Sequence, residues 1–297
     1  MSRKEKSVVK RIQFIFIVGL LSVGFIFPDE CFKSRYATLL SQQNYNEIEI
    51  LLEEWTNSFP DDAELFIAYC NYYLSKGRTT IKTKGSMGSG MYGIKDKNYY
   101  DYELTNVALS YLDKALILYP DRLDIHFGKA NVLSQTLCFE ELTKEIKVFL
   151  KRSQINQNNW YWSDNLSFFD AGLVGEEIIF SGLNDYMSIM YNYFDQNKYL
   201  LNEIIKLYSE YFPNNVIGLN LAAWYYSLDG DVNKTIETLL LAYSIDSTDY
   251  IIIGNLARAY EENNENIEAL KFYNLMLNID NDEAKKYAQE GINRIQM

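Results

Sequence analysis

Histidine and cysteine are scarce in this chain of 297 residues. His126 is the only histidine, and no Asp, Glu or Cys stands three or four residues from it. A metal centre or a nucleophile activated by histidine needs several such groups together, so the sequence predicts no metal, no cofactor and no enzyme. The three cysteines, Cys31, Cys70 and Cys138, are odd in number and widely spaced, which excludes a disulfide framework and a zinc site.

Positive charge is also in deficit, with 28 Lys and Arg against 40 Asp and Glu and a net charge of −12. Affinity for nucleic acid depends on cationic side chains that displace phosphate counterions, so the composition argues against a nucleic-acid partner. Because acidic residues are common throughout, Asp164, Asp170, Glu176 and Glu177 are interpreted as a solvated acidic face rather than an acid–base pair. Apolar residues, in contrast, make up 48% of the chain, which is ample for an ordered core.

The amino terminus combines a basic start with an uncharged run. Residues 1–11 carry five Lys or Arg against one Glu, and Ile12–Phe27 has no charge. Sixteen helical residues span roughly 24 Å, less than the ~30 Å hydrocarbon core of a bilayer, which favours a signal peptide over a membrane span. The sequence predicts residues 1–29 as an export signal, with an uncleaved anchor as the alternative, and a location in a bacterial cell envelope, periplasmic or anchored in the inner membrane.

A repeat of 34 residues occupies the carboxy-terminal part, where Val216–Asp249 is followed by Tyr250–Glu283. The small residues Ala223 and Ala257 correspond in the two copies. Other corresponding positions are Tyr226 and Tyr260, Thr235 and Ala269, Ala242 and Met276, and Leu219 and Ile253. A period of this length predicts helix–turn–helix units that bury their apolar faces by stacking on their neighbours. The pattern resembles the tetratricopeptide repeat (TPR) family.

The resemblance implies an all-α, right-handed superhelix over residues 30–297, interrupted by two insertions. Pro60, Pro120 and Pro213 stand where three of the units close, and proline stops a helix. Residues 284–297 are predicted to form the capping helix that a solenoid end requires. The predicted repeats cover residues 30–62, 63–122, 123–156, 182–215, 216–249 and 250–283, with insertions at residues 78–104 and 157–181.

In the TPR family the first helix of each unit lines a concave groove, and the resemblance carries its contact positions onto this sequence. These positions are Ile67, Asn71, Phe127, Asn131, Tyr186, Met190, Asn220, Trp224 and Arg258. Asn71 and Asn131 hold equivalent places in adjacent units, where amides can donate to and accept from an extended backbone. Ordinary polar residues of a helix surface are the alternative. Glu64 and Asp124 stand early in the groove helices, so a basic groove that clamps a carboxyl terminus is not expected.

The first insertion contains Gly88–Gly93, formally a G-x-G-x-x-G motif. A dinucleotide site needs a helix amino terminus after the motif, but the glycines lead into Ile94–Tyr100, which is too short and mixed to be that helix, so nucleotide binding is not expected. The pattern instead predicts a hairpin with strands at Thr79–Lys84 and Met91–Lys95. Its basic residues favour a solvated loop, and the alternative is that they, including Lys82 and Lys84, contact an acidic partner or anionic lipid.

The second insertion carries Trp160 and Trp162, two of the four tryptophans of the chain. Aromatic residues on a loop are candidate ligand anchors because they combine a large apolar area with few rotamers. They also suit an apolar seal where regular stacking is interrupted, and the sequence favours the seal.

These features predict a non-catalytic scaffold that binds a protein or peptide in its concave groove. The first alternative is a structural assembly factor of the cell envelope that acts through its insertions or its convex face. A helical-toroid enzyme is the remote alternative, because the sequence offers no convergent acid, base and nucleophile.

Overall fold

A computed structural model describes residues 28–88 and 91–297 of the chain. The predicted export signal lies outside these residues, except for its last two positions. Within the described ranges, none of the helices is both long enough and apolar enough to cross a bilayer.

The described residues form thirteen α-helices and two small antiparallel sheets, so the all-α prediction is confirmed. The helices are α1 Pro28–Ser41, α2 Tyr45–Ser58, α3 Ala63–Gly77, α4 Tyr102–Leu118, α5 Leu123–Gln135, α6 Phe139–Ile155, α7 Gly175–Tyr191, α8 Phe194–Tyr211, α9 Val216–Leu228, α10 Val232–Ile245, α11 Tyr250–Glu262, α12 Asn266–Leu277 and α13 Asp282–Gln296. The strands are β1 Arg78–Gly88, β2 Met91–Tyr100, β3 Tyr161–Trp162 and β4 Leu166–Ser167, with a 3₁₀ turn at Ser163–Asn165 between the last two.

The chain divides into two compact units. The first unit consists of Met1–Leu137 and Asn156–Ser181, and the second consists of Cys138–Ile155 and Gly182–Met297. The segment after α6 therefore returns to the first unit before the chain continues into the second.

Side-chain caps start most of the helices. Asp62 accepts a hydrogen bond from the backbone N–H of Glu64 at the start of α3, and Asp101 accepts one from Leu104 at the start of α4. Asp249 accepts from Ile251 and Ile252 at the start of α11. Each cap pairs backbone N–H groups that have no partner within the helix, so the cap residues set where the helices begin.

In the second unit the predicted repeat is directly visible. Helices α9 and α11 begin at Val216 and Tyr250, and α10 and α12 begin at Val232 and Asn266, so both pairs of starts are separated by the 34-residue period. The corresponding Ala223 and Ala257 are buried, together with Ala242, Ala269 and Met276, in one apolar cluster. The small residues allow neighbouring helices to approach closely, which explains why they recur at this period.

In the first unit the helices α1 to α5 pack in chain order, and each contacts the next. Ile48, Leu52 and Trp55 of α2 form one buried cluster with Tyr36 of α1 and Tyr72 of α3. A second cluster joins α3 to α4 through residues that include Cys70, Ala108 and Leu112. The apolar core therefore continues past the first insertion as if the inserted residues were absent.

The first insertion forms the predicted hairpin, with longer strands than expected. Strands β1 and β2 pair from Arg78 opposite Tyr100 to Gly88 opposite Met91, with an irregularity between Ser86 and Gly88. The backbone N–H of Asp101 donates to the carbonyl of Gly77 at 2.9 Å, which closes the base of the hairpin where it leaves α3 and enters α4.

The start of α7 differs from the prediction. The predicted fourth repeat begins at residue 182, whereas α7 begins at Gly175. Glu176 and Glu177, interpreted from the sequence as part of an acidic face, occupy its first turn, where negative charge is favourable. The buried residues Ile178, Ile179 and Phe180 extend its apolar side, so residues assigned to the second insertion belong to the helix.

Candidate functional site

The first unit contains a cleft of about 280 Å³ between α3, α5 and the base of the hairpin. Apolar residues of its lining include Ile67 and Leu74 of α3 and Ile125 and Val132 of α5. Its polar residues are Asn71, Ser75, Arg78, Tyr100, Asp124, Asn131, Gln135 and Thr136. An apolar floor with several convergent polar groups is typical of a binding site.

Three of the predicted groove residues meet in this cleft. Ile67 and Asn71 come from α3 and Asn131 comes from α5, so the two equivalent asparagines line one space. Asn71 is half-buried and Asn131 is exposed. Each amide has two donors and an acceptor, which allows the pair to hydrogen-bond an extended backbone.

The base of the hairpin closes one side of the cleft. Arg78 and Tyr100 face each other in the register of β1 and β2, and both line the cleft. The hydroxyl of Tyr100 donates to Oε1 of Gln135 on α5 at 2.6 Å. Sequence reasoning placed an insertion here but did not assign Arg78, Tyr100 or Gln135 to the site, because no local signal shows which way a hairpin folds over a neighbouring helix.

Of the predicted contacts in the hairpin, Lys82 is exposed on β1. The side chain of Lys84 lies outside the part of the chain whose side chains are described.

A buried arginine pairs with the two carboxylates that stand early in the groove helices, Glu64 and Asp124. Arg122 is 2% exposed, and its Nε and Nη2 donate to the two carboxylate oxygens of Asp124 at 2.8 and 2.7 Å. Its Nη2 also donates to Oε1 of Glu64 at 2.8 Å, and its Nη1 donates to Asn165 at 3.3 Å. Glu64 and Asp124 therefore share one guanidinium, which offsets one of their two negative charges inside the protein.

The pKa of Arg122 is the net result of two opposing effects. Burial disfavours the charged guanidinium, but the hydrogen bonds and charges of Asp124 and Glu64 outweigh burial and raise its pKa. Arg122 thus keeps its charge and links α3, α5 and the second insertion. Because it precedes α5 and carries no repeat signature, the sequence did not single it out.

The second insertion packs its tryptophans inward. Trp160 is 1% exposed and lies edge-on to His126, with ring centroids 5.8 Å apart. Trp162 lies edge-on to Phe127 at 6.2 Å. Both tryptophans form an apolar seal, as the favoured interpretation predicts, and neither has the exposure that a ligand anchor needs.

The two residues that pack against these tryptophans, Phe127 and His126, are buried rather than exposed in a groove. Phe127, a predicted groove residue, is only 8% exposed, because Trp162 covers it. His126 is buried, and its Nε2 lies 3.1 Å from the carbonyl of Pro120.

The predicted groove residues of α7 are buried as well. Tyr186 is 7% exposed and Met190 is fully buried. With Leu183 and Met187 they form an apolar stripe at positions i, i+3, i+4 and i+7, which is the side of a helix that packs into a core. The repeat register carried onto this helix therefore places ligand positions on its packed face.

The remaining predicted residues, on α9 and α11 of the second unit, keep accessible surface. Asn220 accepts a hydrogen bond from Asn255 at 2.7 Å, and Trp224 is 40% exposed with its ring 4.0 Å from that of Tyr191. Arg258 is exposed, but its Nε donates to Glu262 at 2.7 Å. This face offers an aromatic ring and amides rather than uncompensated charge.

A metal site is not formed by the described residues: among them, no three His, Cys, Asp or Glu side chains are grouped so that they can hold an ion. Cys70 borders the cleft, and burial raises the pKa of its thiol to about 12, so it is a protonated, unreactive group at neutral pH.

No protein-family model matches the sequence, and no curated protein matches it. Several solved structures are similar at low sequence identity. The thermophilic TPR protein TTC0263 of Thermus thermophilus is 16% identical over 63% of this chain and 90% of its own, with a TM-score of 0.41. YrrB, described as a TPR protein with an unusual peptide-binding site, is 15% identical over 82% of this chain and 97% of its own, with a TM-score of 0.43.

Acl4, an assembly chaperone of RpL4, is 11% identical over 91% of this chain and 97% of its own, with a TM-score of 0.43. At this level of similarity the class of the protein follows from its own architecture. The contacting helix pairs, their 34-residue period and the buried alanines form an all-α repeat architecture of the kind found in TPR proteins.

Proposed function

We propose that this protein is a non-catalytic scaffold that holds an extended segment of a partner protein in the cleft of its first unit. The observation that carries the proposal is that Asn71 and Asn131, from two different helices, line the same cleft above an apolar floor. An extended backbone presents N–H and C=O groups on both edges, and paired amides can satisfy them irrespective of sequence.

The size of the cleft supports a short linear ligand. A volume of about 280 Å³ lies just below the roughly 300–1,000 Å³ of typical small-molecule pockets, and the cleft opens to solvent between two helices. Such a space accommodates a few residues of extended chain, whereas a folded partner would need a larger complementary surface.

The test is the double variant Asn71→Ala, Asn131→Ala in the full chain. Each lost hydrogen bond costs about 0.5–1.5 kcal/mol, so capture of the partner, identified by crosslinking in cells, should weaken about tenfold or more. The thermal midpoint should stay within about 2 °C of the parent, because both side chains lie at the surface of the cleft.

The matched control is Asn57→Ala, Asn106→Ala. These two asparagines are exposed on α2 and α4 of the same unit, away from the cleft. Equal losses of binding in the two double variants, or no loss in either, would contradict the proposal.

The alternative, an assembly factor that binds a folded partner through the hairpin, has one observation in its favour. Ile81 on β1 is 48% exposed, so the hairpin presents an accessible apolar side chain for contact with a partner. Replacement of residues 80–98 by a short glycine linker keeps Arg78 and Tyr100 at the cleft. Binding lost in this variant but retained after the asparagine substitutions would favour the alternative.

We further propose that the protein is exported and acts in a bacterial cell envelope, on the basis of the basic and apolar residues 1–29. Cell fractionation before and after detergent extraction separates a soluble exported form from an anchored one. Recovery of the intact chain in the cytosol would contradict the proposal.

A further inference from the structure

We infer that the inserted hairpin gives the cleft its selectivity, and that it selects extended segments carrying Asp or Glu. The inference rests on the proposed function, since it concerns what the same cleft binds. It assigns the recognition to Arg78 and Lys82 of β1, which belong to an element outside the repeat pattern.

The position of the hairpin base is determined by the repeat helices. Strand β1 follows α3 without a linker, and the backbone hydrogen bond from Asp101 to Gly77 joins the two ends of the hairpin. A Cβ atom at Gly77 would lie 3.2 Å from Cβ of Leu104, so α3 and α4 approach closely at this point. Arg78 is consequently held at the edge of the cleft by packed helices rather than by a free loop.

One face of the hairpin continues the polar lining of the cleft outward. Alternate residues of a strand point to the same face, so Arg78 and Tyr100 at the cleft are followed on that face by Thr80 and Asn98. Thr80 Oγ1 lies 2.7 Å from Oδ1 of Asn98 in a cross-strand hydrogen bond. Lys82, paired in register with Asp96, comes next along β1.

The charges of the first unit distinguish Arg78 and Lys82 from the other described cations. Five Lys and Arg side chains pair with carboxylates: Lys33 with Asp164, Arg35 with Glu54, Lys76 with Glu49, Arg122 with Glu64 and Asp124, and Lys129 with Asp113. Lys114 lies over the ring of Tyr111 at 4.7 Å. Arg78 and Lys82 have no such partner among the described side chains of this unit, and of the two only Lys82 stands opposite an acidic residue, Asp96, in the hairpin register.

Among its described lining residues, the cleft offers one cation that pairs with no described carboxylate. Among the described residues that line it, only Arg78 and Asp124 are charged, and both oxygens of Asp124 accept hydrogen bonds from Arg122. The charge left for a ligand is the guanidinium of Arg78, with Lys82 further along β1. A carboxylate that reaches Arg78 forms a charge-assisted hydrogen bond, which neutral side chains cannot match.

The experiment is a selection from a random library of displayed peptides of about ten residues, roughly 33 Å when extended, on the immobilised full chain. The selected peptide and its counterparts with Gln or Lys in place of each acidic residue are then titrated by fluorescence anisotropy. The protein variants are Arg78→Gln, Arg78→Gln with Lys82→Gln, and the control Lys114→Gln.

Enrichment of Asp and Glu is expected, and Arg78→Gln should weaken the acidic peptide about fivefold, the size of one exposed ion pair. The Gln counterpart should lose less than about twofold, and the difference between the two peptides should shrink as salt increases. Lys114→Gln should leave both affinities unchanged.

Several results would overturn the inference. Selected peptides without acidic enrichment, or equal losses for the acidic and Gln peptides, would contradict it and leave the proposed function standing. The selection could also yield no acidic peptide while Arg78→Gln abolishes binding to phosphatidylserine vesicles. That result would show that Arg78 contacts a membrane surface instead. Peptides whose binding is insensitive to Asn71→Ala with Asn131→Ala would contradict the proposed function itself.

Discussion

The repeat helices of the second unit are regular in sequence and serve packing, whereas the two insertions of the first unit are irregular and give it special features. In the former, α9 to α12 follow a strict period, and their buried alanines and aromatic residues serve packing. In the latter, irregular segments carry Arg78 and Tyr100 to a cleft and bury Trp160 and Trp162 as a seal. The helices of the regular repeats serve packing, and the insertions give the first unit a cleft edge and an apolar seal that those repeats lack.

The largest effect is expected from removing the charge that ties the second insertion to the repeats. Arg122→Met leaves the carboxylates of Glu64 and Asp124 without their cation, and should lower the free energy of unfolding by about 3–5 kcal/mol in urea denaturation. The triple variant with Glu64→Gln and Asp124→Asn removes the uncompensated charge and should recover most of the loss. A triple variant as unstable as Arg122→Met would show that packing, not charge, is the contribution of this side chain.

The next largest effect is expected beside the regular repeats, at Gly291 of the capping helix α13. A Cβ atom at Gly291 would overlap the ring of Tyr273, which is fully buried. Gly291→Ala should therefore cost about 1–3 kcal/mol through overpacking, even though alanine is the better helix former. Thermal unfolding measures this cost, and the double variant with Tyr273→Leu should relieve it.

A pair of tryptophans compares repeat and insertion directly. Trp55 of α2 and Trp160 are both 1% exposed, but Nε1 of Trp55 donates to Asp62 at 2.9 Å, whereas Nε1 of Trp160 has no partner among the described residues. Trp55→Phe removes the hydrogen bond to Oδ2 of Asp62 and should cost about 1 kcal/mol more than Trp160→Phe. Equal costs in chemical denaturation would show that the indole N–H groups contribute alike.

The smallest effect is one of thiol reactivity. Burial raises the pKa of Cys70 to about 12, so at pH 8 its thiol is protonated in the folded state, whereas Cys31 is exposed on α1. Iodoacetamide should label Cys31 in the native protein and Cys70 only after denaturation, as mass spectrometry of the labelled peptides would show. Labelling of native Cys70 at the rate of Cys31 would mean that the core between α3 and α4 opens readily.

Prediction from sequence succeeded where a signal is local or periodic. The alanines spaced by 34 residues predicted the helix pairs of the second unit, and the basic, glycine-containing segment after α3 predicted a hairpin. It failed at Tyr186 and Met190, because a family register cannot tell which face of α7 is packed. It also did not anticipate that Arg122 forms an ion pair with Glu64, since the two lie far apart in the chain.

The sequence by itself determined the elements of this protein: helices with their caps, the period that stacks them and the place of the first insertion. These features depend on hydrogen bonds and apolar contacts between residues near each other in the chain or one period apart. Only the tertiary structure decided which asparagines share a cleft, where the base of the hairpin lies and which charges are compensated. Those outcomes depend on distances between residues far apart in sequence, and no local pattern records such distances.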